Sequence, residues 1–137
     1  MFFKKKENKK EDNHFQKITS LLIHAAKIDE NYTNEEEDII KKTLINLGVD
    51  NNKINDLVNK AKIDEQNSNQ ILDYTKSVKN LPETDKIKII ESLWRIIYSN
   101  KYADLYETSL MRRLAGLLYI DSKLMGDIKE KIKKEFW

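Results

Sequence analysis

The residues best suited to chemistry in this 137-residue chain are carboxylates and an amide in two polar segments that follow apolar stretches. Asp29 and Glu36 are seven positions apart, and Asn100 and Glu107 repeat that spacing 71 positions later. Asp104 lies in the second of these segments. Such oxygen ligands suit Ca²⁺, Mg²⁺ or Mn²⁺ better than Zn²⁺. A site that draws on both segments would therefore bind a divalent cation.

The same residues also have a purely structural interpretation. Thr33 to Glu36 and Asp104 to Glu107 both match the capping box, in which the first and last residues cap each other's backbone N–H groups. This role stabilises a helix by about 1 kcal/mol and needs no ligand. Asp29 fits it less well, because it ends an apolar helix, where an acid meets the negative end of the helix dipole. A metal site would chiefly depend on Asp29, and both interpretations stay open.

No established calcium or catalytic motif accompanies these residues. An EF-hand loop beginning at Asp29 is excluded, because Asn34 stands where the loop needs Gly and Ile40 stands where it needs a bidentate Glu. The sequence has no Gly-rich phosphate loop, no nucleophile elbow, no His-Glu-x-x-His pair and no Cys. We therefore expect a non-enzymatic protein.

The elements that must position the two segments form two related halves. With the same offset of 71, apolar positions fall on apolar positions and Asp falls on Asp: Leu22 on Leu93, Ile39 on Leu110, Leu47 on Leu118, and Asp50 on Asp121. Each half contains an apolar helix, a polar turn, a helix with Glu in its first turn, and a third helix. Because paired halves can share a core, the repeat predicts that the two turns lie close together.

Apolar spacing and capping residues predict seven helices. The first runs from His14 to Ile28, the second is capped by Thr33 and ends at a left-handed Gly48, and Asp50 caps the third. A polar break at residues 64–69 precedes a linking helix that carries Ile71, Leu72, Thr75, Val78 and Leu81. Pro82 lies in the first turn of the fifth helix, and Asp104 and Asp121 cap the sixth and seventh. This pattern predicts an all-α, compact bundle of about seven short helices.

Charge and composition restrict the partners. Residues 1–12 hold five Lys against three acids, and the other 125 residues hold 20 basic and 20 acidic side chains. A fold balanced in this way excludes a nucleic-acid-binding face.

We predict a basic, disordered tail over residues 1–13, with weak contact to anionic membrane surfaces as a further role, and a single domain over 14–137. Without Cys, a signal peptide or a membrane-spanning segment, a cytoplasmic location is expected.

From Leu21 to about Phe136 the chain resembles the tellurite-resistance TerB family of small helical bacterial proteins. The strongest stretches are residues 93–100 (Leu-Trp-Arg-Ile-Ile-Tyr-Ser-Asn) and 112–118 (Arg-Arg-Leu-Ala-Gly-Leu-Leu), with Glu107 between them. A weaker copy covers residues 25–29 (Ala-Ala-Lys-Ile-Asp) and Glu36. The resemblance implies an all-α fold with acidic residues in both turns.

The resemblance also implies a function, because TerB-like proteins have been proposed to bind divalent metal and to act in stress responses. Asp29, Glu36 and Glu107 match the acidic pattern. Asn100 replaces the second Asp, and Asp104 stands where many relatives have His. We therefore expect a non-enzymatic stress-response protein of the tellurite-resistance type that binds a divalent cation. The alternative is a metal-free helical interaction or scaffold domain, with an unidentified protein partner, whose acids only cap helices.

Overall fold

The computed structural model describes the backbone of residues 2–27, 32–67, 71–99 and 105–136, and within these ranges the side chains of all but 2–13 and 105–108. The described residues form seven helices and no strand. The helices are α1 (Phe2–Ala26), α2 (Asn34–Asn46), α3 (Asn51–Asn67), α4 (Ile71–Lys79), α5 (Glu83–Tyr98), α6 (Leu105–Leu117) and α7 (Ser122–Phe136). The predicted all-α bundle is confirmed.

Helix α1 is longer than predicted. It begins at Phe2 instead of His14, so it extends through the segment for which we predicted a disordered tail. Lys and Glu are good helix formers, and extending an existing helix adds one hydrogen bond for each residue fixed. The buried part of α1 can therefore act as the nucleus of this extension. The division into a tail and a domain from residue 14 stays a prediction.

Helices α2 and α6 end in the same way, which confirms the repeat at the level of backbone geometry. After α2, Gly48 has a φ of +102°, and the N–H of Val49 donates to the carbonyl of Leu44 at 3.0 Å. After α6, Tyr119 has a φ of +56°, and the N–H of Ile120 donates to the carbonyl of Ala115 at 2.9 Å. Both are left-handed C-terminal caps, separated by the offset of 71 residues.

Helix α3 continues to Asn67, through the first part of the polar break that we predicted at residues 64–69. The prediction was wrong there because Glu65 is buried at 7 % exposure and has a basic partner. Its Oε2 accepts a hydrogen bond from Lys27 Nζ at 3.0 Å. The polar residues at the end of α3 therefore remain helical, since at least one of them forms part of the packing against α1.

Helices α4 and α5 differ from the prediction in detail. In α4, Leu72 was expected on the apolar face but is 55 % exposed, and Tyr74 is fully buried instead. Pro82 is the N-cap of α5 and lies one residue before its first turn. The other capping predictions agree with the helix starts, since α3 begins directly after Asp50 and α7 directly after Asp121.

Helix α1 lies at the centre of the bundle, in contact with α2, α3, α4 and α5, and α5 also packs against α2 and α7. Equivalent positions of the two halves are fully buried, as in Ile18 with Ile89 and Leu22 with Leu93. Thr43 Oγ1 on α2 donates to Ser92 Oγ on α5 at 2.7 Å. The halves therefore share one core, as the repeat predicts.

Candidate metal centre

Only one of the five predicted ligands has a described side chain. Asp29, Asn100 and Asp104 lie outside the described residues, and so does the side chain of Glu107, although its backbone belongs to α6. Glu36 is described, and it lies in the first turn of α2. Glu36 is therefore the predicted ligand whose surroundings the structure describes.

Glu36 is a buried carboxylate that completes the predicted capping box. Its Oε1 accepts hydrogen bonds from the backbone N–H and from Oγ1 of Thr33, each at 2.9 Å, and its own N–H donates to Thr33 Oγ1 at 3.1 Å. Glu36 is 1 % exposed. Burial of a carboxylate is unfavourable unless hydrogen bonds or cations compensate it. The capping box is one such compensation, and it fixes the carboxylate at the start of α2.

A charged cluster next to Glu36 was not identified from the sequence. Glu37 Oε1 lies 2.6 Å from Lys62 Nζ and accepts a hydrogen bond from the Tyr32 hydroxyl at 3.2 Å. The hydrogen bond from Lys62 lowers the pKa of Glu37 below its usual value, and burial together with the charge of Glu37 raises the pKa of Tyr32. Lys41 Nζ lies 3.5 Å from the other oxygen of Glu37. Glu37 is thus neutralised by two lysines and poorly suited as a metal ligand.

Contacts between α2 and α5 place Glu36 relative to the C-terminal end of α5. Lys88 Nζ donates to the carbonyl of Asn46 at 3.3 Å, and Thr43 contacts Ser92, so α2 and α5 run antiparallel. From Thr43 to Glu36, and from Ser92 to Ser99, each helix advances by roughly 10 Å at the usual helical rise. Glu36 therefore lies at the level of the C-terminal end of α5, which leads directly into Asn100.

The sequence profile of the family described as tellurite resistance protein TerB matches residues 15–130, which includes both halves of the bundle. The chain belongs to the TerB family. Comparisons with curated proteins and with solved structures found no match. The resemblance seen in the sequence is confirmed, and the match runs from residue 15 of α1 into α7.

The end of α1 in this TerB-family chain is fixed by a cluster that sequence reasoning missed. His24 Nδ1 lies 3.4 Å from Glu65 Oε1, and Lys27 Nζ bonds the other oxygen of Glu65. Lys27 also places a positive charge at the negative end of the helix dipole, two positions before Asp29 in the sequence. The sequence signal was available, because Val58, Ala61 and Glu65 follow one another at helical spacing on the buried face of α3.

Within the parts of the chain that the structure describes, no group of three or more acidic or His side chains has the arrangement of a metal site. Four of the five predicted side chains lie outside those parts, so the predicted ligand set of this TerB-family domain stays a prediction. Among the same described residues, no helix has the length and apolar character needed to cross a lipid bilayer.

Proposed function

We propose that this TerB-family domain is a non-enzymatic, cytoplasmic stress-response protein of the tellurite-resistance type that binds a divalent cation. The ligands come from the two turns and the first turns of α2 and α6: Asp29, Glu36, Asn100, Asp104 and Glu107. Their carboxylate and amide oxygens favour Ca²⁺, Mg²⁺ or Mn²⁺ over Zn²⁺. The cation joins the two halves at the ends of α1 and α5.

The antiparallel contact between α2 and α5 is the observation that carries this proposal. It brings the buried carboxylate of Glu36, in the first half, to the level of Ser99, one residue before Asn100 in the second half. A metal ligand set spread over both halves requires this proximity. The internal repeat supports the equivalent arrangement for Glu107, which occupies on α6 the position of Glu36 on α2.

Calorimetric titration of the metal-stripped protein with Ca²⁺, Mn²⁺ and Zn²⁺ tests the proposal. We expect saturable binding of Ca²⁺ or Mn²⁺ and a higher melting temperature, since a ligand at 100 times its Kd stabilises the folded state by about 2.7 kcal/mol. Glu36→Gln and Glu107→Gln should each weaken binding by about tenfold or more. Glu35→Gln, an exposed change in the same turn of α2, is the matched control. Absence of heat, together with a melting temperature that chelator does not change, would contradict the proposal.

The capping box favours a second candidate, a metal-free helical interaction or scaffold domain. Thr33 donates two hydrogen bonds to the Glu36 carboxylate, which gives Glu36 a structural role that needs no ligand. In this case Thr33→Ala and Glu36→Gln should lower the free energy of unfolding by similar amounts, about 1 kcal/mol, with and without added metal. The second candidate would be contradicted if Glu36→Gln, but not Thr33→Ala, lowered the free energy of unfolding by different amounts with and without metal.

A further inference from the structure

We propose that a surface groove beside Trp94 binds an apolar side chain from an acidic, helical segment of a protein partner. The groove, called the Trp94 groove below, lies between α6 and α7 and is lined by Trp94, Met111, Ala115, Met125 and Gly126. It encloses about 200 Å³ and is open to solvent on one side. Sites for small organic ligands usually enclose roughly 300 to 1,000 Å³, so this volume fits one side chain better than a whole small molecule.

Comparison of the two halves explains why the groove exists. At the positions equivalent to Ala115 and Gly126, the first half has Leu44 and Asn55, and Leu44 is fully buried in the core. The second half thus has two smaller residues facing the same region. An apolar side chain supplied by a partner would take the place that Leu44 fills in the first half.

Trp94, which lines the groove, carries an unsatisfied hydrogen-bond donor. Its side chain is 2 % exposed, and its buried Nε1 has no hydrogen-bond partner in the described part of the chain. An unsatisfied buried donor is unfavourable by roughly 1 to 3 kcal/mol. An acceptor oxygen carried by the bound segment would remove this penalty. Met111 and Met125 add flexible thioether side chains, which adapt to the shape of a partner.

The charge at the groove selects an acidic partner. Arg112 and Lys129 line it, and none of its lining residues is acidic. Lys129 Nζ lies 5.5 Å from the Trp94 ring centroid, and Arg112 forms no ion pair within the described residues. Two cations beside an apolar cleft complement an amphipathic helix that presents Leu next to Glu, which is a common mode of peptide recognition. The free carboxylate of a fatty acid shares part of this chemistry and is distinguished by the test.

The experiment measures binding of a fluorescein-labelled helical peptide with one Leu and with Glu beside it on the same helix face. A second peptide has Lys in place of every Glu. Chelator is present throughout, so the outcome is independent of the metal proposal. We expect anisotropy to show saturable binding of the Glu peptide, at least tenfold tighter than that of the Lys peptide. In the Trp137→Phe variant, Trp94 gives the remaining indole N–H signal in the proton NMR spectrum. The chemical shift of this signal should change as the peptide binds.

Groove-filling variants with matched controls locate the site. Gly126→Leu should abolish binding, and Gly116→Leu should leave it unchanged, because both glycines are helical with open space around an added Cβ but only Gly126 lines the groove. Arg112→Gln and Lys129→Gln should each weaken binding by about threefold, as expected for charges that are exposed or partly exposed. Arg113→Gln serves as their control.

Equal binding of both peptides, binding that survives Gly126→Leu, or octanoate that competes fully with the peptide at a lower concentration would each overturn the proposal.

Discussion

At the scale of single residues, Glu36 is the point where the two functional interpretations meet. Its carboxylate is buried and caps α2 through Thr33, and the same carboxylate lies at the level of Ser99, at the end of α5. A residue in this position can hold its helix in place and also contribute to a cation site. Stability and metal affinity therefore have to be measured separately for changes at this position.

The capping box gives a prediction for Thr33. Thr33→Ala removes the acceptor for the Glu36 N–H and should lower the free energy of unfolding by about 1 kcal/mol, measured by urea denaturation in chelator. Thr43→Ala is not a suitable control, because that hydroxyl joins α2 to α5. Glu35→Gln changes an exposed side chain of the same turn and should have almost no effect. Equal stability of Thr33→Ala and the unchanged protein would show that the capping box contributes nothing.

The Glu37 cluster gives a prediction that depends on pH. Because the pKa of Glu37 is lowered in the folded protein, its ion pair with Lys62 stabilises the fold above the ordinary Glu pKa, and this contribution is lost as the pH falls through the lowered value. Lys62→Met should raise the pKa of Glu37 and reduce the free energy of unfolding at neutral pH by roughly 0.5 kcal/mol. The reduction should disappear in acid.

Carbon-13 NMR titration of the Glu37 carboxyl, together with urea denaturation at several pH values, measures both effects. Lys60→Met is the matched control, because Lys60 lies on the same helix and pairs with Asp56, both side chains being more than half exposed. A Glu37 pKa that stays low in Lys62→Met would contradict the assignment to Lys62.

At the scale of helices, the two related C-terminal caps differ in the residue that occupies the left-handed position. Gly48 adopts a positive φ at little steric cost. Tyr119 also adopts a positive φ, but its Cβ makes this conformation unfavourable. Lys79 Nζ lies 4.6 Å from the centroid of the Tyr119 ring, and this contact offsets part of the strain. The sequence identifies the first cap through its Gly, but the second is visible only through the repeat.

Alanine substitutions at two glycines should change the free energy of unfolding in opposite directions. Gly48→Ala should lower the free energy of unfolding by about 1 kcal/mol, because Ala is strained at a φ of +102° although nothing lies within 4 Å of the added Cβ. Gly116→Ala should raise it by up to about 1 kcal/mol, since that position is helical and equally open. Thermal and urea denaturation of both variants measure the difference. Destabilisation of both by the same amount would contradict this account of the backbone.

At the scale of the whole molecule, the fold is two three-helix units that share one core around α1 and α5. Helix α4 links them and has no counterpart in the repeat. The packing depends on residues of α1 from Ile18 onward, which, apart from the partly exposed His24, are fully or almost fully buried. The family match likewise begins at residue 15.

Deletion of residues 1–13 should therefore leave a cooperatively unfolding domain. We expect the melting temperature to change by less than about 4 °C, the shift that corresponds to roughly 1 kcal/mol in a domain of this size. Circular dichroism should show a loss of helical signal in proportion to the residues removed. A much lower melting temperature, or unfolding that is no longer cooperative, would show that the start of α1 is part of the domain.

The sequence by itself determined the helices, the repeat and the family. Apolar residues at helical spacing mark the buried faces, Thr33 and Glu36 mark a helix start, and Gly48 marks a helix end, because each of these signals acts over a few neighbouring residues. For the candidate site, the sequence supplied the five ligand types and the capping role of Glu36. It could not show the distance between the halves.

Only the tertiary structure decided which polar residues are buried and which groups from distant helices meet. Glu65 was predicted to lie in a polar break, but Lys27 and His24 lie beside it at the end of α1, 38 and 41 positions away in the chain. The register of α2 against α5 depends on contacts such as that between Thr43 and Ser92. The Trp94 groove likewise results from how α6 and α7 pack. Such contacts have no local signal, because helix spacing specifies a buried face but not the side chains that pack against it.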